Sequence, residues 1–318
     1  MNSLPGELID LVIYFTVNPV FDLSLVNKYW NINVKGIRIT SNEGYPNMEM
    51  EHTVLLPNFS ALDLSGDSKG NNFIGMPIIP YYITSLNLHK NDRVTDRRIS
   101  DHTKLTSLVL SMNNKISNKG ISDLTNLTHL NLANNTMITN ISHLTNLTHL
   151  NLANNTLISN KCLFKLINLK RLDLQRHHLI INIGHLTNLT SLNLMINSMI
   201  TDQELSRLTN LIDLDLRHNC RITNEGISGL TNLLTLKLCN NKRITKVAHL
   251  MKLSSLWLEK NTMITNEKIS TLTNITALNL SDNVIITDDG ISRLPKLRYL
   301  ALDDNKIITR IGYERLNK

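Results

Sequence analysis

Three histidines occupy one equivalent position in three short segments: His143 in ITNISHL, His185 in IINIGHL and His249 in ITKVAHL. Grouped imidazoles are the raw material of a zinc site, so their spacing is the first thing to weigh. The segments belong to a repeat, and in stacked repeats the histidines fall two and three strand steps apart. At about 4.8 Å per step, neighbours are at least about 10 Å from one another, too far to share one ion. The cysteines, Cys162, Cys220 and Cys239, are an odd number with no motif spacing, and free thiols in a reducing compartment are expected. No nucleophile with its base, no carboxylate pair and no phosphate loop stands out. The expectation is a chain that is not an enzyme and takes no metal, cofactor or small-molecule substrate.

The elements that position side chains are set by LTNLTHLNLANNT, which occurs unchanged at Leu124–Thr136 and at Leu144–Thr156. Weaker copies of the form LxxLxLxxN run along nearly the whole chain. Their first positions are Val34, Phe59, Ile83, Leu105, Leu127, Leu147, Leu169, Leu189, Leu211, Leu233, Leu253, Ile275 and Leu297, which makes thirteen units. No linker interrupts them, so residues 34–318 read as one solenoid, each unit touching only its neighbours. The fourth and sixth positions, such as Leu130 and Leu132, share the inward face of a short strand. The ninth-position Asn can satisfy backbone groups where the chain leaves the strand. Asp67 and His177 break this ladder, and local irregularity is expected at both.

The return segments are of two kinds. The longer units read ITNEGISGL at Ile222–Leu230 or ITDDGISRL at Ile286–Leu294, and one helical turn is predicted there. Thr201-Asp202-Gln203-Glu204 matches a helix capping box. The three 20-residue units are those that carry the histidines. Together these signals predict an α/β fold: a curved parallel sheet on a concave side, with short helical or 3-10 turns on the convex side. The early stretch 42–82 is the least regular.

The third, fifth and seventh positions of each strand point away from the core. In the middle units they are bland, as in His129, Asn131 and Ala133. From the seventh unit on they become rich: Arg171, Asp173, Asp213, Asp215, Arg217, Lys237, Trp257, Glu259 and Tyr299. Trp, Tyr and Arg are enriched at binding hot spots, so a protein target is expected on this concave face, anchored on Trp257. The alternative is that Trp257 packs over the stem of Lys237 and the charges pair among themselves.

Net charge is +7 with a pI near 9.3, but the charges are scattered and do not single out nucleic acid. The face also lacks the aromatic platforms that single strands need, so nucleic acid is not expected. The apolar stretch Leu11–Val17 is too short for a membrane span and follows Glu7 and Asp10. No signal peptide or membrane segment is read there, which points to the cytoplasm. Residues 1–33 do not fit the repeat; apolar spacing at Leu8, Leu11, Val12 and Phe15 predicts short helices forming a cap.

From Val34 to Lys318 the chain resembles the leucine-rich-repeat superfamily. The ITxxGIS variant is similar to the ITDxGL segment of the cysteine-containing repeats of F-box/leucine-rich-repeat proteins; the shorter unit resembles the internalin-like kind. Leu4-Pro5-x-Glu7-Leu8 followed by Asp22-Leu23-x-Leu25-Val26-Asn27-Lys28-x-Trp30 resembles an F-box, with a middle about one residue short and a third helix cut to a few residues. That resemblance implies that Leu4, Pro5, Leu8, Val12, Leu25 and Val26 face a Skp-type adaptor or hold the helices, and that Trp30 packs the third. It further implies a substrate-recruiting subunit of a cullin-type ubiquitin ligase, the alternative being a plain interaction scaffold with a helical cap. The Asn- and Ile-rich composition is similar to that of AT-rich genomes, such as a giant DNA virus of amoebae, whose protein would act in the host cell cytoplasm.

Overall fold

The computed structural model describes residues 37–38, 60–66 and 79–309. The F-box-like segment, with Leu4, Pro5, Leu8, Val12, Leu25, Val26 and Trp30, lies outside them, as do Asp67 and most of the long early units. The chain divides into two compact units, one running to Asn131 and including 135–138, the other formed by 132–134 and everything from Thr139.

In the first unit β1 (Ile37–Arg38), β2 (Ala61–Asp63), β3 (Ser85–Asn87), β4 (Ser107–Val109) and β5 (His129–Asn131) pair in chain order, all parallel. Between them lie α1 (Asp96–Ile99) and α2 (Asn118–Ile121). In the second unit the strands are β6 (His149–Asn151), β7 (Arg171–Asp173), β8 (Ser191–Asn193), β9 (Asp213–Asp215), β10 (Thr235–Lys237), β11 (Ser255–Trp257), β12 (Ala277–Asn279) and β13 (Tyr299–Ala301). They too pair in order and in parallel, with Leu172, Leu192, Leu214, Leu236, Leu256 and Leu278 in one register row. The helical turns are α3 (Asn160–Leu163), α4 (Asp202–Leu205), α5 (Asn224–Ile227), α6 (Asn266–Ile269) and α7 (Asp288–Ser292).

The two unit lengths have one physical explanation. A 22-residue unit buries Leu211, Leu214, Leu216, Ile222, Ile227 and Leu230; a 20-residue unit buries Leu233, Leu236, Leu238, Ile244, Val247 and Leu250. The shorter unit drops two residues between its last strand-side Ile and the next inward apolar group. The helical turn goes and the core positions stay.

The ninth-position asparagines form the expected ladder. Asn113 accepts the N–H groups of Lys115 and Ile116 at 3.0 Å each, and donates to the carbonyls of Leu88 (3.1 Å) and Asn91 (2.7 Å) in the preceding rung. The same set recurs at Asn135, Asn197, Asn219, Asn241, Asn261 and Asn283, all at most 1% exposed. Each rung therefore satisfies buried backbone groups that water does not reach. The irregularity expected at His177 is absent. His177 is fully buried, its Nδ1 accepts from Leu179 and Ile180 at 3.3 Å, and Asn197 donates to its carbonyl at 3.0 Å. The imidazole replaces the acceptor half of the amide, and its Nε2 finds no partner.

A second ladder joins the helical turns. Asp202 accepts from the Thr223 N–H (2.8 Å) and hydroxyl (2.6 Å); Asp96 does the same for Ser117 (2.7 and 2.6 Å). This explains the glycine of ITxxGIS. A Cβ at Gly120, Gly226 or Gly290 would meet Oδ1 of Asp96, Asp202 or Asn266 in the preceding unit. Where the preceding unit is short and has no helical turn, the same position carries Cys162, Glu204 or Lys268. The capping box read at Thr201 is not formed: Thr201 makes no side-chain cap bond, and Glu204 turns back to accept from Ile183 (2.8 Å) and Gly184 (2.7 Å). Those N–H groups come just after Ile181 and Asn182, which the ladder side chain Asn160 already serves, and Glu204 reaches them from the following unit.

Candidate binding face

Each strand places the third and fifth residues of its unit on the face opposite the core, with the seventh just past the strand end. Asp or Asn at the fifth position has a local reason. Asp173, Asn193, Asp215 and Asn279 each accept the N–H two residues on, at 2.8, 2.9, 3.1 and 2.9 Å, an Asx turn that ends the strand. One carboxylate oxygen of Asp173 and of Asp215 is thereby committed to the backbone.

Parallel register brings Asp215, Lys237 and Trp257 side by side on β9, β10 and β11. Asp215 is 6% exposed. The Arg217 guanidinium grips it through Nε at 3.0 and 2.9 Å and through Nη2 at 2.7 Å, while Lys237 Nζ stands 3.9 Å away. This carboxylate raises the pKa of Arg217 and keeps it charged. Lys237 Nζ also lies 4.9 Å from the centre of the Trp257 ring, a cation–π contact. The indole N–H donates to Ser255 Oγ at 3.3 Å. Trp257 is half-buried, with one face under the ammonium, and Glu259 on the same strand is half-buried too. Cys239, 3% exposed, is held as a thiol because burial pushes its pKa up to about 11.

The other expected residues are more dispersed. Asp173 accepts from Asn193 Nδ2 at 3.0 Å, and burial raises its pKa. Asp213 accepts from Ser191 Oγ at 3.0 Å. Arg171 is exposed on β7 and Tyr299 is 63% exposed on β13. The structure thus gathers Asp215, Arg217, Lys237 and Trp257 into one group with Glu259 beside it, and leaves Arg171 and Tyr299 apart. Both halves of the sequence alternative are present: Lys237 does lie on the indole, and Asp215 is paired internally.

The histidines have another use. His185 Nε2 lies 3.3 Å from the Leu163 carbonyl and His249 Nε2 lies 3.1 Å from that of Ile227, the last residues of α3 and α5. Each ring caps the helical turn of the unit before it. Among the described residues no three His, Cys, Asp or Glu side chains could hold a metal ion, and no helix is long and apolar enough to cross a membrane. Sequence reasoning passed over one group, the exposed Arg221, Lys242, Arg243 and Lys246. Its signal was available: Arg221 and Arg243 hold equivalent positions in consecutive units, with Lys242 and Lys246 close by in sequence.

Comparison with known proteins agrees with this architecture. A family model for paired leucine-rich repeats matches residues 103–146, and one for a single leucine-rich repeat matches 143–167, 207–231 and 271–294. These segments are leucine-rich repeats. No curated protein matches. Among solved structures, an internalin from Listeria monocytogenes is 29% identical with a TM-score of 0.57, covering 74% of this chain and 71% of that one. A leucine-rich-repeat protein from Leptospira interrogans is 24% identical with a TM-score of 0.58, covering 89% and 88%. The Toll chain of the Drosophila Toll–Spatzle complex is 19% identical with a TM-score of 0.58, covering 86% of this chain and 43% of its own. The last two likenesses show the fold alone.

Proposed function

We propose that this chain of leucine-rich repeats is a non-enzymatic protein-binding module whose target sits on the open strand face between Arg171 and Tyr299. The observation that carries this reading is Trp257: half-buried, fixed by Ser255 and Lys237, and next to the buried Asp215–Arg217 pair. An aromatic anchor held in place before binding loses little side-chain entropy when a partner covers it. Charge pairs around it exclude water once covered and discriminate between partners. A protein partner is also the class bound by a chain of similar fold, Toll in its complex with Spatzle. The test is capture of interacting protein with the whole chain, followed by alanine substitutions at Trp257, Arg217, Asp215 and Tyr299. Trp257→Ala should weaken the captured interaction by at least about 2 kcal/mol while Asn131→Ala leaves it unchanged. Equal small losses at every position would refute the site.

The finer form of this reading assigns residues 1–33 to docking a Skp-type adaptor. The chain would then be the F-box subunit that recruits substrate to a cytoplasmic cullin-type ubiquitin ligase. Its support is the sequence pattern Leu4-Pro5-x-Glu7-Leu8 with Leu25, Val26 and Trp30. Wild-type chain should co-purify with the adaptor, and Leu8→Asp or Pro5→Ala should abolish this while the solenoid stays folded. If no adaptor is recovered with the wild type, the scaffold form holds.

A further inference from the structure

We infer that the edge of the sheet beside the Trp257 site, formed by Arg221, Lys242, Arg243 and Lys246, is a docking surface for an acidic segment of the target protein. The inference rests on the protein-binding reading above and names a second contact chemistry for it.

Placement comes from the asparagine ladder. Arg221 and Arg243 give their backbone N–H groups to Asn219 and Asn241, at 2.9 and 3.0 Å, and those two rungs are joined by the bond from Asn241 Nδ2 to the Asn219 carbonyl at 2.9 Å. The two arginines are therefore equivalent residues of consecutive rungs, about one strand spacing of 4.8 Å apart at the backbone. Lys242 adjoins Arg243. Lys246 lies three residues beyond Arg243, where the chain enters the return segment, its N–H held by Asn224 Oδ1 at 2.9 Å.

All four side chains are exposed, and among the described residues none has a carboxylate or hydrogen-bonding partner. Four unpaired cations on adjacent rungs repel one another and contribute nothing to the fold. The equivalent positions carry Met137, Leu157, Leu179, Met199, Met263 and Ile285, and Arg93 and Lys115 in the first compact unit, so the fold accepts either an apolar or a basic side chain there. The fold therefore does not require charge at Arg221 and Arg243, and the charge they carry has no internal counter-charge among the described residues. By contrast Lys260, in the next unit, is paired with Asp282 at 3.3 Å.

The edge also continues the proposed interface. Arg217 and Cys239 are the seventh residues of the same two units, and the link between them and the edge is the His218–Asn240 contact at 3.1 Å. A partner seated on Trp257 that extends over Arg217 and Cys239 would meet Arg221 and Arg243 next along the same two units. A carboxylate-rich segment fits them in sign, and arginine takes carboxylates in a two-pronged grip. Nucleic acid fits the sign as well, but the adjoining face lacks the row of aromatic platforms on which single-stranded bases stack.

The test uses the whole chain and a labelled polyglutamate peptide, followed by fluorescence anisotropy at low and moderate salt. The double variant Arg221→Glu, Arg243→Glu should weaken peptide binding at least about tenfold. The control Lys161→Glu, Lys165→Glu makes the same change in net charge at exposed sites elsewhere and should leave binding nearly unchanged. Equal losses in both variants would mean that only net charge acts, and would overturn the inference. So would a single-stranded oligonucleotide of matched charge binding more tightly than the peptide, or no peptide binding by the wild type. Circular dichroism melting of each variant confirms folding. Because the peptide measurement needs no captured target, its failure is distinct from failure at Trp257, and Trp257→Ala should retain peptide binding.

Discussion

Replacing His177 by Asn should stabilise the protein, and by more in acid than at neutral pH. At neutral pH the argument is geometric. His177 Nδ1 accepts two backbone N–H groups at 3.3 Å, where the asparagine rungs hold theirs at about 3.0 Å. Its buried Nε2 has no partner. An asparagine would shorten the first pair and give its amide N–H to the carbonyls of the preceding rung, as Asn197 does at 3.1 and 3.0 Å. A recovered buried hydrogen bond is worth about 1 kcal/mol.

The pH term adds to this. Nδ1 must stay unprotonated to accept, and burial, reinforced by neighbouring His178, lowers the His177 pKa from 6.5 to about 4. Above pH 6.5 the neutral ring costs nothing in charge. As pH falls from 6.5 toward about 4, the unfolded chain binds a proton that the folded chain refuses. Stability then drops by about 1.4 kcal/mol per pH unit, about 3 kcal/mol over the window. Asparagine does not titrate. The advantage of His177→Asn should therefore be about 1 kcal/mol at neutral pH and about 4 kcal/mol near pH 4. Urea unfolding of both proteins at the two pH values measures this, and amide exchange at Leu179 and Ile180 reports it locally. An advantage that is absent at neutral pH, or that does not grow with acid, would refute the account of the rung.

Ile196 has φ of 55°, a left-handed conformation that costs a β-branched residue about 1–2 kcal/mol; Ile196→Asn should raise the denaturation midpoint accordingly. Gly226→Ala should destabilise by about 1–2 kcal/mol, although alanine is the better helix former. Its Cβ would press on Asp202 Oδ1, so adding Asp202→Ala should recover part of the loss in a double-mutant cycle. Leu150→Ala, at a site 3% exposed, should cost about 2–5 kcal/mol by the same unfolding measurement.

The sequence by itself determined the solenoid. Recurrence of LxxLxLxxN every 20 to 22 residues through the described repeats places each leucine, each ladder asparagine and each outward residue, because every rung satisfies the same backbone groups in the same way. It also separated the helical return segments from the short ones. What it did not determine is which side chains meet between rungs, since those pairs lie 20 to 22 residues apart and depend on how each neighbouring return segment folds. Glycine at 226 but lysine at 268 makes sense only when Asp202 is seen beside the first and a short unit precedes the second. Thr201-Asp202-Gln203-Glu204 reads locally as a cap, but Glu204 lies closer to two unsatisfied N–H groups of the rung before. His177 looked like a break because an imidazole is not an amide, yet one ring nitrogen at the right depth accepts the same two bonds. Trp257 was legible as an exposed aromatic; that Lys237 covers it and that Asp215 is buried beneath Arg217 follows from parallel register, which sets these three strands side by side.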